Sequence, residues 1–186
     1  MMQSRWLMLV VLMTVGLVAG ADTALGQSFT ATVVEVTDGD TIDVERGAEI
    51  VTVRLNGIDA PEDGQPYGGE AKRLAERAAL GKRVTVEVIE TDPYGRTVGI
   101  VTLPDGPVLN RALVRAGLAW WYEHYAPGNR VLERLEQQAR RRGRGLWAAS
   151  EPIPPWDWRE GTRNGSEPER NRSSFSGTLP YDPQSP

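Results

Sequence analysis

The stretch from Phe29 to Leu55 most narrows what this chain can fold into. It consists of short β-branched runs separated only by tight turns. Phe29 to Val36 reads as a strand, with Val34 and Val36 on one face. Asp38-Gly39 is a strong hairpin signal, and Thr41 to Glu45 is the return strand. Gly47-Ala48 makes the next turn, and Ile50 to Leu55 alternates cleanly. The period then lengthens. Residues 69–80 place Ala71, Leu74, Ala75 and Ala78 at helical spacing, opposite Lys72, Arg73, Glu76 and Arg77, and Gly81 is a stop. Strands are expected over Val84 to Ile89 and Val98 to Leu103, and helices over Val108 to Ala116 and Asn129 to Arg142. The last helix is apolar at Val131, Leu132, Leu135 and Ala139. Five strands, with one helix after the third and two at the end, predict an α+β domain over 27–150. Its expected form is a small closed five-stranded barrel of the OB type with three helices.

Composition removes whole classes of chemistry. The chain has no cysteine, which excludes disulfides, thiolate metal sites and cysteine nucleophiles. A single histidine, His124, excludes paired-histidine acid–base catalysis and three-histidine zinc sites. His124 is read as a surface or packing residue. Any metal must rest on oxygen ligands, which favours calcium or magnesium. The net charge is −4 and the sequence pI about 5.2, so passive coating of nucleic acid is not expected. A bound cation and a few placed arginines would have to act locally.

The two ends differ from the middle. Met1 to Arg5 carries one positive charge, Trp6 to Ala19 is apolar, and small residues follow. Residues 1–26 therefore read as a secretory signal cleaved after Ala21 or Gly26. The mature protein is then secreted or periplasmic, with no stable membrane span. The alternative is a membrane anchor left uncleaved. Seven of the 13 prolines follow Glu151, which sets the tail apart from the domain. Residues 151–160, with Trp156 and Trp158, are expected to dock on the barrel, because exposed tryptophan is costly. Residues 161–186 are expected to be disordered. The run Arg140-Arg141-Arg142 with Arg144 is either a solvated helix end or a patch that steers phosphates.

Four short pieces carry chemistry: Asp38-Gly39-Asp40-Thr41, Arg54-Leu55-Asn56-Gly57-Ile58-Asp59-Ala60-Pro61-Glu62, Asp92-Pro93-Tyr94-Gly95-Arg96, and Asn110 to Gly117. Carboxylates for a hard cation plus two guanidinium forks are the minimum for breaking a phosphodiester. Taken singly, Asp40 is turn chemistry, Asp59 and Glu62 are loop acids, and Arg54 is an exposed strand residue. Together they point to one site.

In order and register, these pieces resemble the motifs of the thermonuclease family, the staphylococcal nuclease type, over roughly Phe29 to Trp158. The resemblance implies an OB fold and calcium-dependent hydrolysis of DNA and RNA to 3′-phosphate products. It implies Asp40, Asp59 and the main-chain carbonyl of Ala60 as calcium ligands, with Ala60 standing where the family commonly has threonine. It implies Glu62 acting on the attacking water, Arg54 and Arg96 on the phosphate, and Tyr94 and Tyr125 at the nucleotide. Glu123 replaces a second family tyrosine, and Tyr122 beside it is a substitute. Pro93 replaces a lysine often found before Tyr-Gly-Arg, and the Asp63 to Gly68 loop has no Lys or Arg. Weaker substrate binding is expected from these departures. Single-stranded DNA and RNA are the expected substrates, duplex DNA less readily, and the protein is expected to be monomeric. The competing reading is a non-catalytic OB module that binds single strands. A third is an envelope protein whose Trp-rich tail binds a partner.

Overall fold

The computed structural model describes residues 27–163. The expected signal segment, 1–26, and the expected disordered tail from 164 onward lie outside the described residues. The strands are β1 (Ser28–Val36), β2 (Thr41–Arg46), β3 (Glu49–Leu55), β4 (Ile58–Asp59), β5 (Arg83–Thr91), β6 (Thr97–Thr102) and β7 (Trp120–Trp121). The helices are α1 (Gly68–Ala79), α2 (Leu109–Ala116), α3 (Arg130–Arg141) and α4 (Pro155–Arg163), with a 3-10 turn over Gly145–Ala148.

Five strands close the expected barrel, and their order is β1-β2-β3-β6-β5. The pairs are antiparallel except β3 with β6, which is parallel over Val53↔Thr97 to Leu55↔Gly99. Val33, Ile42, Val44, Val53, Val84, Val86 and Val101 fill the interior. Ala71, Ala75 and Ala79 of α1 and Leu109, Leu113 and Val114 of α2 join the same core. One detail differs from expectation. A register shift between Val33 and Glu35 turns Val34 outward, so Val33 rather than Val34 shares the core with Val36. Val131, expected on the apolar side of α3, is also exposed.

A second, two-stranded sheet pairs β4 with β7, Ile58 opposite Trp121 and Asp59 opposite Trp120. Beside it lies a second apolar cluster, Trp120, Ala139, Leu146 and Trp147. The segment carrying Trp156 packs there. The proline- and tryptophan-rich segment is itself a fourth helix, where three helices were expected, and it runs to Arg163, past the expected start of disorder at residue 161. Pro155 suits a first helical position because its missing N–H costs nothing there. Trp156 stacks on Tyr122 at 4.9 Å and 14°, and meets Trp120 edge-on at 5.6 Å. Among the described residues no helix is long and apolar enough to cross a membrane.

Candidate active site

The barrel sets the site by register. Thr41, the first residue of β2, pairs with Arg54 near the end of β3, so Asp40 falls beside Arg54. The Leu55 amide donates to the Asp40 carbonyl at 2.8 Å, which pins the turn to the strand end. Gly39 is required by close approach. A Cβ there would sit 2.6 Å from the Cβ atoms of both Ala60 and Ala71. β4 then carries Asp59 under the turn, and the Ala60 amide donates to Asp40 Oδ2 at 2.6 Å.

Four of the residues singled out in the sequence meet here. Asp40 and Asp59 are both buried, and Arg54 bridges them. One terminal nitrogen of Arg54 pairs with Asp40, and the other bonds Asp59 Oδ1 at 2.6 Å. Glu62 sits at the rim, its amide held by the Gln65 side chain at 3.0 Å. A residue the motifs did not flag completes the group: Arg159 of α4. Its guanidinium donates to both oxygens of Asp59, at 3.2 and 2.8 Å, and to Glu62 Oε1. Burial works against the charge of Arg159, but the hydrogen bonds it donates to Asp59 and Glu62 outweigh it, and its pKa is held above the ordinary arginine value. Arg159 follows Trp158 in the segment expected to dock, and that adjacency was the signal available in the sequence.

Facing this group is a cavity of about 720 Å³, lined among others by Arg54, Glu62, Tyr94, Arg96, Tyr122 and Arg159. Arg96 does not touch the carboxylates. It belongs to the β5–β6 turn, where Asp92 Oδ2 accepts from its Nε at 2.7 Å and leaves its two terminal nitrogens for another ligand. Asp92 Oδ1 caps the turn by accepting from the Tyr94 and Arg96 amides, both at 2.9 Å. Burial pushes the Asp92 carboxyl up, but the bonds from Arg96 and Tyr94 outweigh it and hold it below the usual range. Tyr94 is 87 % exposed and Tyr125 59 % exposed, so both rings are open to a base. Tyr122 lines the same cavity with one face covered by Trp156 and an edge contact to Tyr125 at 4.9 Å. Burial and the nearby Asp59 raise the Tyr122 hydroxyl pKa. In the basic run, Arg140 lies 3.7 Å over the Trp147 ring and pairs with Glu136, so it serves packing.

The donor set suits a hard cation. Three carboxylates, Asp40, Asp59 and Glu62, are matched by only two guanidiniums, Arg54 and Arg159, leaving one formal negative charge. Among the described residues no three metal-ligating side chains converge. The side chains here that could hold a cation are the two aspartates, with main-chain oxygen and water completing its shell.

Comparison with known proteins agrees with the geometry. Residues 52–149 match the family model described as "Staphylococcal nuclease homologue", slightly more than half of the chain. The chain belongs to the staphylococcal nuclease family. It is 46 % identical over 127 residues to an "Uncharacterized endonuclease" of Escherichia coli O157:H7, covering 68 % of this chain and 82 % of that protein. It is 37 % identical over 147 residues to a "Micrococcal nuclease" of Shigella flexneri, covering 74 % and 84 %. A "Probable staphylococcal-like nuclease CAN1" of Oryza sativa subsp. japonica is 42 % identical over 125 residues, 65 % of this chain and 37 % of that longer protein. This staphylococcal nuclease homologue is thus a hydrolase whose substrates are nucleic acids.

Proposed function

We propose that this nuclease is calcium-dependent, acts outside the cytoplasm, and cuts DNA and RNA to 3′-phosphate ends. The observation that carries the reading is the buried Asp40–Arg54–Asp59 group, with Glu62 at its rim, facing Arg96 across one cavity. Asp40 and Asp59 would hold the cation, with the Ala60 carbonyl as a further ligand. When bound there, calcium supplies Lewis-acid stabilisation of charge growing on the phosphate.

The chain's own residues do the rest. Arg54 and Arg96 hold the scissile phosphate from two sides. Arg96 is preset by Asp92, so its fork meets the phosphate without reorganisation. Glu62 orients the attacking water and takes its proton. The new oxygen–phosphorus bond forms as the bond to the 5′ oxygen breaks, and the departing oxygen takes a proton from solvent water, leaving a 3′-phosphate and a 5′-hydroxyl. Tyr94 and Tyr125, both exposed, would stack on bases, which suits single strands with splayed bases better than a closed duplex.

The test is digestion of a single-stranded oligonucleotide with calcium, with chelator, and by Glu62→Gln. Calcium-dependent cleavage that chelator abolishes and Glu62→Gln cripples is the expected result. Cleavage insensitive to chelator removes the metal from the mechanism, and 5′-phosphate ends contradict the direction of attack. Export is tested by sequencing the N-terminus of the protein recovered from culture: Asp22 or Gln27 is the expected first residue. A retained Met1 in the membrane fraction identifies the anchored alternative. Elution at the monomer mass in size-exclusion chromatography is expected.

A further inference from the structure

We infer that Arg159, delivered by α4, is a positioning residue of the active site that fixes the Glu62 carboxylate for its work on water. This deepens the function proposed above and rests on the role given there to Glu62. Glu62 stands at the rim with about a third of its side chain exposed. Its backbone is anchored through Gln65, but only a side-chain contact can fix its carboxylate. Arg159 makes that contact, bonding Oε1 of Glu62 and leaving Oε2 for a water. The same guanidinium is fixed at its other end by both oxygens of buried Asp59. A planar fork gripped this way has little rotational freedom, and it transfers that rigidity to Glu62.

The helix is placed independently of this contact. Gln65 Nε2 donates to the Ile153 carbonyl at 2.7 Å while Gln65 Oε1 accepts from the Glu62 amide at 3.0 Å. One side chain thus ties the Glu62 loop to the segment leading into α4. Trp156 is stacked on Tyr122, which follows β7, the strand paired with the one carrying Asp59. Two separate ties therefore set Arg159 over the carboxylates, and α4 is part of the catalytic unit.

The experiment is a double-mutant cycle on the full chain with a single-stranded DNA oligonucleotide and calcium, or magnesium should calcium not support cleavage. Arg159→Ala is expected to lower kcat roughly 10- to 100-fold, the cost of a catalytic group misplaced by about an ångström, with KM changed less. Arg159→Lys keeps the charge but loses the fork, so only partial rescue is expected. Within Glu62→Gln, Arg159→Ala is expected to cost less than about 3-fold more, because the two act as a unit. Trp156→Ala, which removes one of the two ties without touching Arg159, is expected to lower kcat in the same way but by less than Arg159→Ala. Losses that multiply in the double variant, a loss confined to KM, or an Arg159→Ala enzyme with wild-type kcat each overturn the inference. Should Glu62→Gln alone keep full activity, the role of Glu62 falls first, and that arm identifies it as the cause.

Discussion

Asn110→Ala offers the sharpest test of how the barrel is held closed at its short parallel seam. β6 pairs with β3 only as far as Gly99. Beyond it, the inward edge of β6 has no strand beside it, and the Asn110 side chain from α2 takes the strand's place. Its Oδ1 accepts from the Val101 amide at 3.1 Å, and its Nδ2 donates to the Asn56 and Gly99 carbonyls at 3.0 and 3.2 Å. Alanine leaves the Val101 amide buried without a partner, at about 1–3 kcal/mol. It also strips the Asn56 carbonyl, at about 1 kcal/mol. Gly99 loses less, because its carbonyl still accepts from the Asn56 amide at 2.8 Å. Alanine's better helix propensity returns about 0.6 kcal/mol. The net expectation is a loss of about 2–3 kcal/mol, read as a lower urea midpoint at unchanged slope and a melting temperature lower by roughly 5–10 °C. Asn110→Asp keeps the acceptor for Val101 but turns a buried charge toward two carbonyls, so it costs at least as much. A loss under about 0.5 kcal/mol for alanine, within the range of ordinary surface changes, would refute the reasoning.

Three further outcomes follow from the site. Arg96→Lys keeps the charge but loses the fork, so kcat/KM on single-stranded DNA is expected to fall at least ~100-fold; near-normal turnover would remove Arg96 from the mechanism. Gly39→Ala drives a Cβ to 2.6 Å from Ala60 and Ala71. It is expected to cost about 1–3 kcal/mol by denaturation and to lower activity by shifting Asp40. The folded Asp92 carboxyl is held below its ordinary range. Its stabilising contribution is therefore present above the unfolded pKa and lost as pH falls through the folded value. The melting-temperature gap between wild type and Asp92→Asn is expected to be widest near neutral pH and to close in acid; a gap that widens in acid contradicts the assignment.

The barrel was legible because its information is local. Alternation, hairpin glycines and the switch to helical period lie within a few residues of one another, and five strands in a closed order followed. The position of Val34 was not legible, because a bulge adds one residue to a strand without changing its composition. The aspartates, Arg54 and Glu62 were visible because they sit on contiguous motifs. Arg159 was not, since its partners lie 97 and 100 residues away and no local periodicity encodes such a distance. Helix α4 was hidden for a related reason: the segment was expected to dock, but the three prolines from Pro152 to Pro155 mask its helical period, although only Pro155 enters the helix, at the one place where proline is welcome.

An acidic chain that must hold a polyanion faces an apparent contradiction, and the ion pairs of the site resolve it. Each arginine at the cavity is already paired with a carboxylate: Arg54 with Asp40 and Asp59, Arg96 with Asp92, Arg159 with Asp59 and Glu62. Such pairs project little field into solvent, so nucleic acid is not drawn in from afar, consistent with a net charge of −4. What the pairs provide is fixed direction. The carboxylates hold the guanidinium planes in place, and in the mechanism proposed above charge developing in the transition state would meet donors that need no reorganisation. Binding energy is then concentrated on the reacting phosphate rather than spread along the backbone. It follows that salt should weaken KM only modestly, with a slope of one or two phosphate contacts rather than the six to ten of a basic coating protein. A steep salt slope on KM would place the main contacts outside the cavity and reopen the role of the arginines at the end of α3.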